Sequence, residues 1–149
     1  MKYFLILFLF LTQSAIAGDY IIGFRGMNEQ FDRQAFIEFA QKRNLTPFVF
    51  SHNQVTSAVN LIKSKNQNYQ LYGYSLGAVS VREVLMTLKR ENVKMPIFVT
   101  TVGAYKTTNV DFTNFGVGFK NYFDDSGRGT SSPGVFLSVP HREIMKHVK

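Results

Sequence analysis

The spacing of hydrophobic and polar residues changes several times along the chain, and each change predicts a new element of secondary structure. Short runs of β-branched and aromatic residues predict buried strands, whereas longer stretches with apolar residues at every third or fourth position predict amphipathic helices. By this criterion strands are predicted at residues 19–24, 48–51, 69–74, 96–101, 115–123 and 135–139. Helices are predicted at residues 29–44, 55–64 and 76–91, with a terminal helix from about residue 142, and residues 102–114 are predicted to form a long loop.

The predicted strands and helices alternate, which is the pattern of repeated βαβ units. Such units place their strands side by side in a mostly parallel sheet with helices on both faces. The predicted fold class is therefore α/β, as a single three-layer α/β/α domain with a mostly parallel sheet of about six strands. In such sheets reactive groups collect outside the carboxyl ends of the strands. Residues 23–26, Ser75, the loop at Asp124 and His141 all follow predicted strands, so we expect them to share one edge of the sheet.

The first seventeen residues have the features of a secretory signal peptide. Lys2 is followed by an unbroken apolar run at residues 3–11, and Ala15-Ile16-Ala17 has the small-x-small form of a cleavage site. A membrane anchor is the alternative, but the run is short of the roughly 20 residues that a spanning helix needs. We therefore expect residues 1–17 to be removed, residues 18–149 to form the domain, and the protein to be secreted or periplasmic.

Composition and charge exclude several kinds of site. The chain has no cysteine, which excludes disulfides, zinc–thiolate sites and a cysteine nucleophile, and no cofactor is expected. Its net charge is +7, and removal of Lys2 lowers this to about +6. After export such a charge favours contact with an anionic membrane or envelope surface over nucleic acid, but the cations lie near helix ends and in loops, as on any solvated surface. A monomer is expected.

A pentapeptide at the end of the third predicted strand contains a candidate catalytic residue. Gly73-Tyr74-Ser75-Leu76-Gly77 has the form G-x-S-x-G and is followed directly by a predicted helix. The motif is short, so it is informative only in this context of strand, sharp turn and helix. A strained turn leaves no room for side chains two positions away from the serine, which explains both glycines. Ser75 is therefore a candidate nucleophile.

With this motif in this order of elements, the chain resembles the α/β-hydrolase superfamily, near the small lipases and esterases that have little or no lid. The resemblance covers residues 19–141 and implies a catalytic triad in the order serine, acid, histidine, with Ser75 as nucleophile. Ile22-Gly23-Phe24 stands where the family often has His-Gly-x. By that match, the backbone N–H groups of Phe24 and Leu76 would form the oxyanion hole.

The histidine must follow the acid in this order, which excludes His52 and leaves His141 and His147. His141 comes directly after a predicted strand and a proline, whereas His147 lies in a short lysine-rich terminal segment. We therefore expect His141 to be the base.

The acid has three candidates. Asp124 and Asp125 follow the fifth predicted strand, and Asp111 lies in the long loop. Adjacent residues of an extended segment point in opposite directions, so only one of Asp124 and Asp125 can face His141. We expect Asp124, because it comes first after the strand.

These residues predict an exported serine hydrolase that cleaves carboxylic esters of small molecules or lipids through an acyl-enzyme on Ser75. A thioesterase or acyltransferase with the same triad is one alternative, and a non-catalytic protein that binds anionic polymers or membrane is another. No inserted cap is visible, so the site is expected to be open and shallow. Five aromatic residues are candidates for an acyl groove: Phe24, Tyr74, Tyr105, Phe112 and Phe115. The alternative is that most of them belong to the core, which is favoured more for Phe115 than for Tyr105 or Tyr74.

Overall fold

A six-stranded parallel sheet forms the centre of the computed structural model, which describes residues 19–27, 30–104, 110–127 and 129–149. The strands are β1 Tyr20–Phe24, β2 Thr46–Phe50, β3 Tyr69–Tyr74, β4 Phe98–Val102, β5 Gly118–Phe123 and β6 Val135–Phe136. Their order in the sheet is β2-β1-β3-β4-β5-β6, and each neighbouring pair is parallel. The predicted α/β class with a parallel sheet of six strands is confirmed. The predicted signal peptide, residues 1–17, lies outside the described residues.

Helices cover both faces of the sheet. They are α1 Arg33–Gln41, α2 Val55–Ser64 and α3 Gly77–Arg90, with 3-10 helices at Thr113–Phe115 and His141–His147. Alternate residues of each strand point to opposite faces of the sheet. On one face Ile22, Leu71 and Val99 pack with α2 and α3. On the other face Ile21, Tyr72 and Val102 pack with α1 and the terminal 3-10 helix. Among the described residues, no helix is both long enough and apolar enough to cross a bilayer.

The predicted helix at residues 29–44 is shorter in the structure. Asp32 caps its start, because a carboxylate oxygen accepts the N–H of Ala35 at 2.9 Å, and α1 therefore begins at Arg33. It ends before Asn44, whose φ of +54° turns the chain toward β2. The predicted start at Glu29 lies outside the described residues.

Strand β2 begins two residues earlier than predicted and includes Pro47. The Thr46 N–H donates to the carbonyl of Asp19 at 3.1 Å, and N–H groups two residues apart point the same way. The nitrogen of Pro47 therefore faces away from β1. Because β2 is an edge strand, the missing N–H of Pro47 costs no bond of the sheet.

The carboxyl-terminal part of the chain differs most from the prediction. Strand β5 begins at Gly118 rather than at residue 115, since Gly116 takes a left-handed φ of +67° after the 3-10 turn. Strand β6 has two residues instead of five. The terminal helix is of the 3-10 type, and its spacing of three residues per turn places His141 and Ile144 on one side. Ile144 is buried in the core, and His141 lies at the sheet edge where the strands end.

Candidate active site

Ser75 lies on a sharp turn between strand and helix. Strand β3 ends at Tyr74 and α3 begins at Gly77, as the motif predicts. Ser75 has a φ of +54°, a left-handed conformation that is uncommon for residues other than glycine, and its N–H donates to the carbonyl of Val102 at 3.0 Å. Such strain is found at functional sites, where the surrounding structure maintains it. The turn presents the serine above the carboxyl edge of the sheet.

The glycines around this turn allow three backbone segments to meet. A Cβ on Gly73 would lie 2.6 Å from the carbonyl oxygen of Gly77, and a Cβ on Gly77 would overlap the carbonyl of Phe24. A Cβ on Gly26 would lie 3.0 Å from the Cβ of Ser75. The loop after β1 therefore passes beside the serine.

Asp124 and His141 are in hydrogen-bond contact next to that turn. Asp124 follows β5 and is buried, and its Oδ2 lies 2.5 Å from Nδ1 of His141. Its other oxygen accepts the N–H of Ser126 at 2.8 Å and the Ser126 hydroxyl. Both carboxylate oxygens of Asp124 are thus engaged, and one of them fixes the Nδ1 edge of the imidazole.

The end of β4 connects this pair with the serine. Val102 accepts the N–H of Ser75, and the next residue, Gly103, has a φ of +57°. A Cβ on Gly103 would lie 2.6 Å from Oδ2 of Asp124 and 2.8 Å from Nδ1 of His141. Two consecutive residues, Val102 and Gly103, therefore contact Ser75 and the Asp124–His141 pair respectively.

The other candidate acids have different surroundings. Asp125 is exposed, and its N–H donates to the carbonyl of Val139. Asp111 accepts hydrogen bonds from the side chain and the backbone N–H of Thr113, at 2.6 and 2.9 Å, and these bonds lower the pKa of its carboxyl group. Asp111 is thus a turn residue, and Asp124 is the aspartate that contacts His141.

The remaining histidines lie elsewhere. His147 is exposed at the end of the terminal 3-10 helix. His52 follows β2, and its backbone carbonyl accepts the hydroxyl of Ser80 at 2.6 Å.

The two predicted oxyanion donors differ in position. Leu76 follows Ser75 directly and is the N-cap residue of α3, where N–H groups have no acceptor within the helix. Phe24 lies inside the sheet, in register with Phe50 on one side and Gly73 on the other, and is fully buried. The backbone beside Ser75 is that of Gly26, two residues further on.

The predicted aromatic groove is not formed by most of its proposed residues. Phe24, Tyr74 and Phe112 are at most 1% exposed and belong to the core, because their strand and loop positions face inward. Phe115 is half-buried, and Tyr105 lies outside the described residues.

Sequence reasoning missed two side chains of this site. Ser126 stands two residues after Asp124, and the D-x-S-G sequence is a turn signal that predicts such a bond. The second is Tyr74, whose ring stacks on the imidazole of His141. Nothing in the sequence signals that contact, because the two residues are far apart in the chain.

Comparisons with known proteins identify the architecture. No protein-family model and no curated protein matches the sequence. Several solved structures do match. RedJ with a polyethylene glycol molecule bound in its active site matches at 12% identity and a TM-score of 0.54, over 89% of each chain. Human thioesterase 2 matches at 12% identity and a TM-score of 0.53, over 83% of this chain and 85% of its own. ClbQ from the colibactin pathway matches at 10% identity and a TM-score of 0.51, over 86% of this chain and 92% of its own.

One of these similar structures, human thioesterase 2, is named as a thioesterase. Their likeness, together with the parallel sheet and its helices, shows that the chain has the α/β-hydrolase fold.

Proposed function

We propose that the chain is a serine hydrolase that cleaves acyl thioesters, through an acyl-enzyme on Ser75. The observation that carries this proposal is the pairing of His141 with the buried Asp124 at the same sheet edge as the strained serine. The thioester is preferred because one of the similar structures, human thioesterase 2, is named as a thioesterase. An oxygen ester is the second candidate substrate, since the motif resembles that of the small esterases.

The proposed reaction uses the geometry of the histidine. With Nδ1 held by Asp124, the proton resides on Nδ1, and Nε2 is left as the basic nitrogen. Nε2 takes the proton of the Ser75 hydroxyl as its Oγ attacks the acyl carbonyl, and Asp124 stabilises the imidazolium that forms. The carbon–sulfur bond then breaks, and the thiol leaves with that proton. A water molecule, deprotonated by His141, releases the acid and restores Ser75.

The oxyanion is proposed to bind two backbone N–H groups. Leu76 supplies one, from the first turn of α3. For the second, the resemblance names Phe24, whereas the approach of Gly26 to Ser75 makes a backbone N–H beside Gly26 the alternative donor. One such donor is worth about a hundred- to a thousandfold in rate.

Paired substrates test the proposal. Hydrolysis is measured for an N-acetylcysteamine thioester and a p-nitrophenyl ester of the same short acyl group, for wild type, Ser75→Ala and Ser57→Ala. Ser57 lies on the exposed side of α2 and is the matched control. We expect kcat to fall by about four to six orders of magnitude in Ser75→Ala and to stay unchanged in Ser57→Ala.

The ratio of the two wild-type rates decides between the substrates. A higher kcat/KM for the thioester supports the proposal, and a higher value for the oxygen ester supports the second candidate. Turnover that survives in Ser75→Ala rejects a serine hydrolase, and a lack of turnover in wild type favours a non-catalytic protein.

Export by residues 1–17 and contact with an anionic surface are further proposals. Both rest on the sequence pattern and on the net charge of +7. Amino-terminal sequencing of the protein from the extracellular or periplasmic fraction would test the first, with a start at Gly18 as the expected result.

A further inference from the structure

We propose that Tyr74, the residue before the nucleophile, is a positioning residue that holds the plane of the His141 imidazole. This inference rests on the proposed function, because it assigns a role toward the base of that reaction. Its starting observation is a stacked contact: the ring centroids of Tyr74 and His141 are 5.0 Å apart, and their planes differ by 21°.

The stack supplies a restraint that Asp124 cannot. The hydrogen bond at Nδ1 and the bond to Cβ fix one side of the ring, but small changes of the His141 side-chain torsions can still tilt the ring plane and move Nε2 relative to the serine. A stacked aromatic face on the imidazole restricts that tilt. Asp124 therefore holds one edge of the ring, and Tyr74 holds its face.

A hydrogen bond from Tyr74 also holds the backbone of His141. The hydroxyl of Tyr74 donates to the carbonyl of His141 at 3.1 Å. Burial, and then the charge of Asp124, raise the pKa of Tyr74 to about 12. The hydroxyl thus stays protonated, and available as a donor, over the whole range in which a histidine acts as a base.

Tyr74 is itself held in place and screened from substrate. It is 1% exposed, and Phe31 packs edge-on against it with ring centroids 6.2 Å apart. Because Tyr74 and Ser75 share a peptide bond, the restraint sets the base relative to the nucleophile. A residue in this position is expected to change kcat and to leave KM unaltered.

Three variants separate positioning from general packing. Tyr74→Phe removes only the hydroxyl, and Tyr74→Leu removes the stack as well. Tyr72→Leu is the matched control, because Tyr72 is equally buried on the same face of β3 but packs against Phe36 and Phe39. Thermal unfolding of each variant sets a temperature at which all are folded.

Kinetics provide the first measurement. We expect kcat to fall about three- to tenfold in Tyr74→Phe, the effect of one hydrogen bond. In Tyr74→Leu we expect a loss of about a hundredfold, as for a misplaced catalytic group. KM is expected to stay within about twofold in both, and kcat of Tyr72→Leu to stay near wild type. Equal losses in Tyr72→Leu and Tyr74→Leu, or a loss that appears in KM, would overturn the inference.

The NMR signal of the imidazole Nδ1–H provides a measurement that needs no turnover. We expect this proton to stay protected from exchange in wild type, Ser75→Ala and Tyr72→Leu, and to exchange rapidly in Tyr74→Leu. Protection that is unchanged in Tyr74→Leu rejects the role of Tyr74, whatever the activity. Protection that depends on Tyr74 in a protein without hydrolytic activity supports the positioning role and rejects the proposed function alone.

Discussion

At the scale of single residues, the carboxylate beside His141 decides which nitrogen of the imidazole would act as the base of the proposed reaction. Asp124 is 2% exposed and lies 2.5 Å from Nδ1, whereas its neighbour Asp125 is exposed. Two adjacent residues with the same side chain therefore have different surroundings. This contrast provides a matched pair of substitutions.

Replacing Asp124 by Asn tests the assignment of the acid. An amide keeps the shape but has one acceptor oxygen and one donor NH2 group. Because Ser126 donates to the Oδ1 position, the NH2 group would face Nδ1 of His141 and favour the wrong tautomer. We expect kcat to fall by about three to four orders of magnitude in Asp124→Asn. In Asp125→Asn we expect a change of less than about twofold, and the comparison is made under saturating substrate. Equal effects of the two substitutions would refute the assignment.

Residue-scale prediction from the sequence succeeded where the signal is local. Ser75 lies between a strand and a helix that its neighbours specify, and its glycines are required by the close approach of backbone segments. The register of the loop after β1 was not predictable, because it depends on where the strand ends relative to Ser75. Phe24 proved to be inside the sheet, and Gly26 beside the serine.

At the scale of elements, the site depends on how closely α3 approaches β1. The first residue of α3 is Gly77, and a Cβ there would overlap the carbonyl group of Phe24. Helix propensity and packing make opposite predictions for alanine at this position. Alanine is favoured over glycine in a helix by about 1 kcal/mol, but overlap with backbone forces the helix and the strand apart.

We expect packing to dominate in Gly77→Ala, with a loss of about 3 kcal/mol or more in the free energy of unfolding. Urea unfolding followed by circular dichroism measures the change. Ser57→Ala on the exposed side of α2 is the control, and there helix propensity alone predicts a gain of a few tenths of a kcal/mol. A stabilised Gly77→Ala variant would show that α3 can withdraw from β1 without strain.

Element types were predictable from the hydrophobic period, and element ends were not. Pro47 sits inside β2 because that strand lies at the sheet edge, a fact of topology that the local sequence does not contain. The terminal segment was predicted as a helix from about residue 142. Its 3-10 geometry depends on placing His141 at the site and Ile144 in the core, which requires the rest of the fold.

At the scale of the whole molecule, buried tyrosines link stability to alkaline pH. Burial raises the pKa of Tyr20 and of Tyr74 to about 12, and it raises the pKa of Tyr69 and Tyr72 further. An unfolded tyrosine ionises near pH 10. The stability that these groups contribute is therefore complete below pH 10, and it is lost as the pH rises toward their folded pKa values.

We expect the free energy of unfolding to decrease steeply above pH 10, by up to about 1.4 kcal/mol per pH unit for each such tyrosine. Tyr20→Phe is expected to reduce this dependence on pH by the contribution of one tyrosine. Within the part of the chain that the structure describes, the Tyr20 hydroxyl is buried without a hydrogen-bond partner, so the same variant is expected to gain about 1 kcal/mol at pH 7. Urea unfolding between pH 7 and 11 measures both effects. An unchanged slope would show that Tyr20 ionises equally in both states.

Covalent labelling by a fluorophosphonate, with the modified residue located by mass spectrometry of proteolytic peptides, tests most directly whether Ser75 is a nucleophile activated by the Asp124–His141 pair. The expected result is a single adduct on Ser75, formed rapidly in wild type, slowly in His141→Ala and absent in Ser75→Ala. An adduct on another residue, or labelling of Ser75 at the same rate with and without His141, would contradict the claim that this serine is activated by the Asp124–His141 pair.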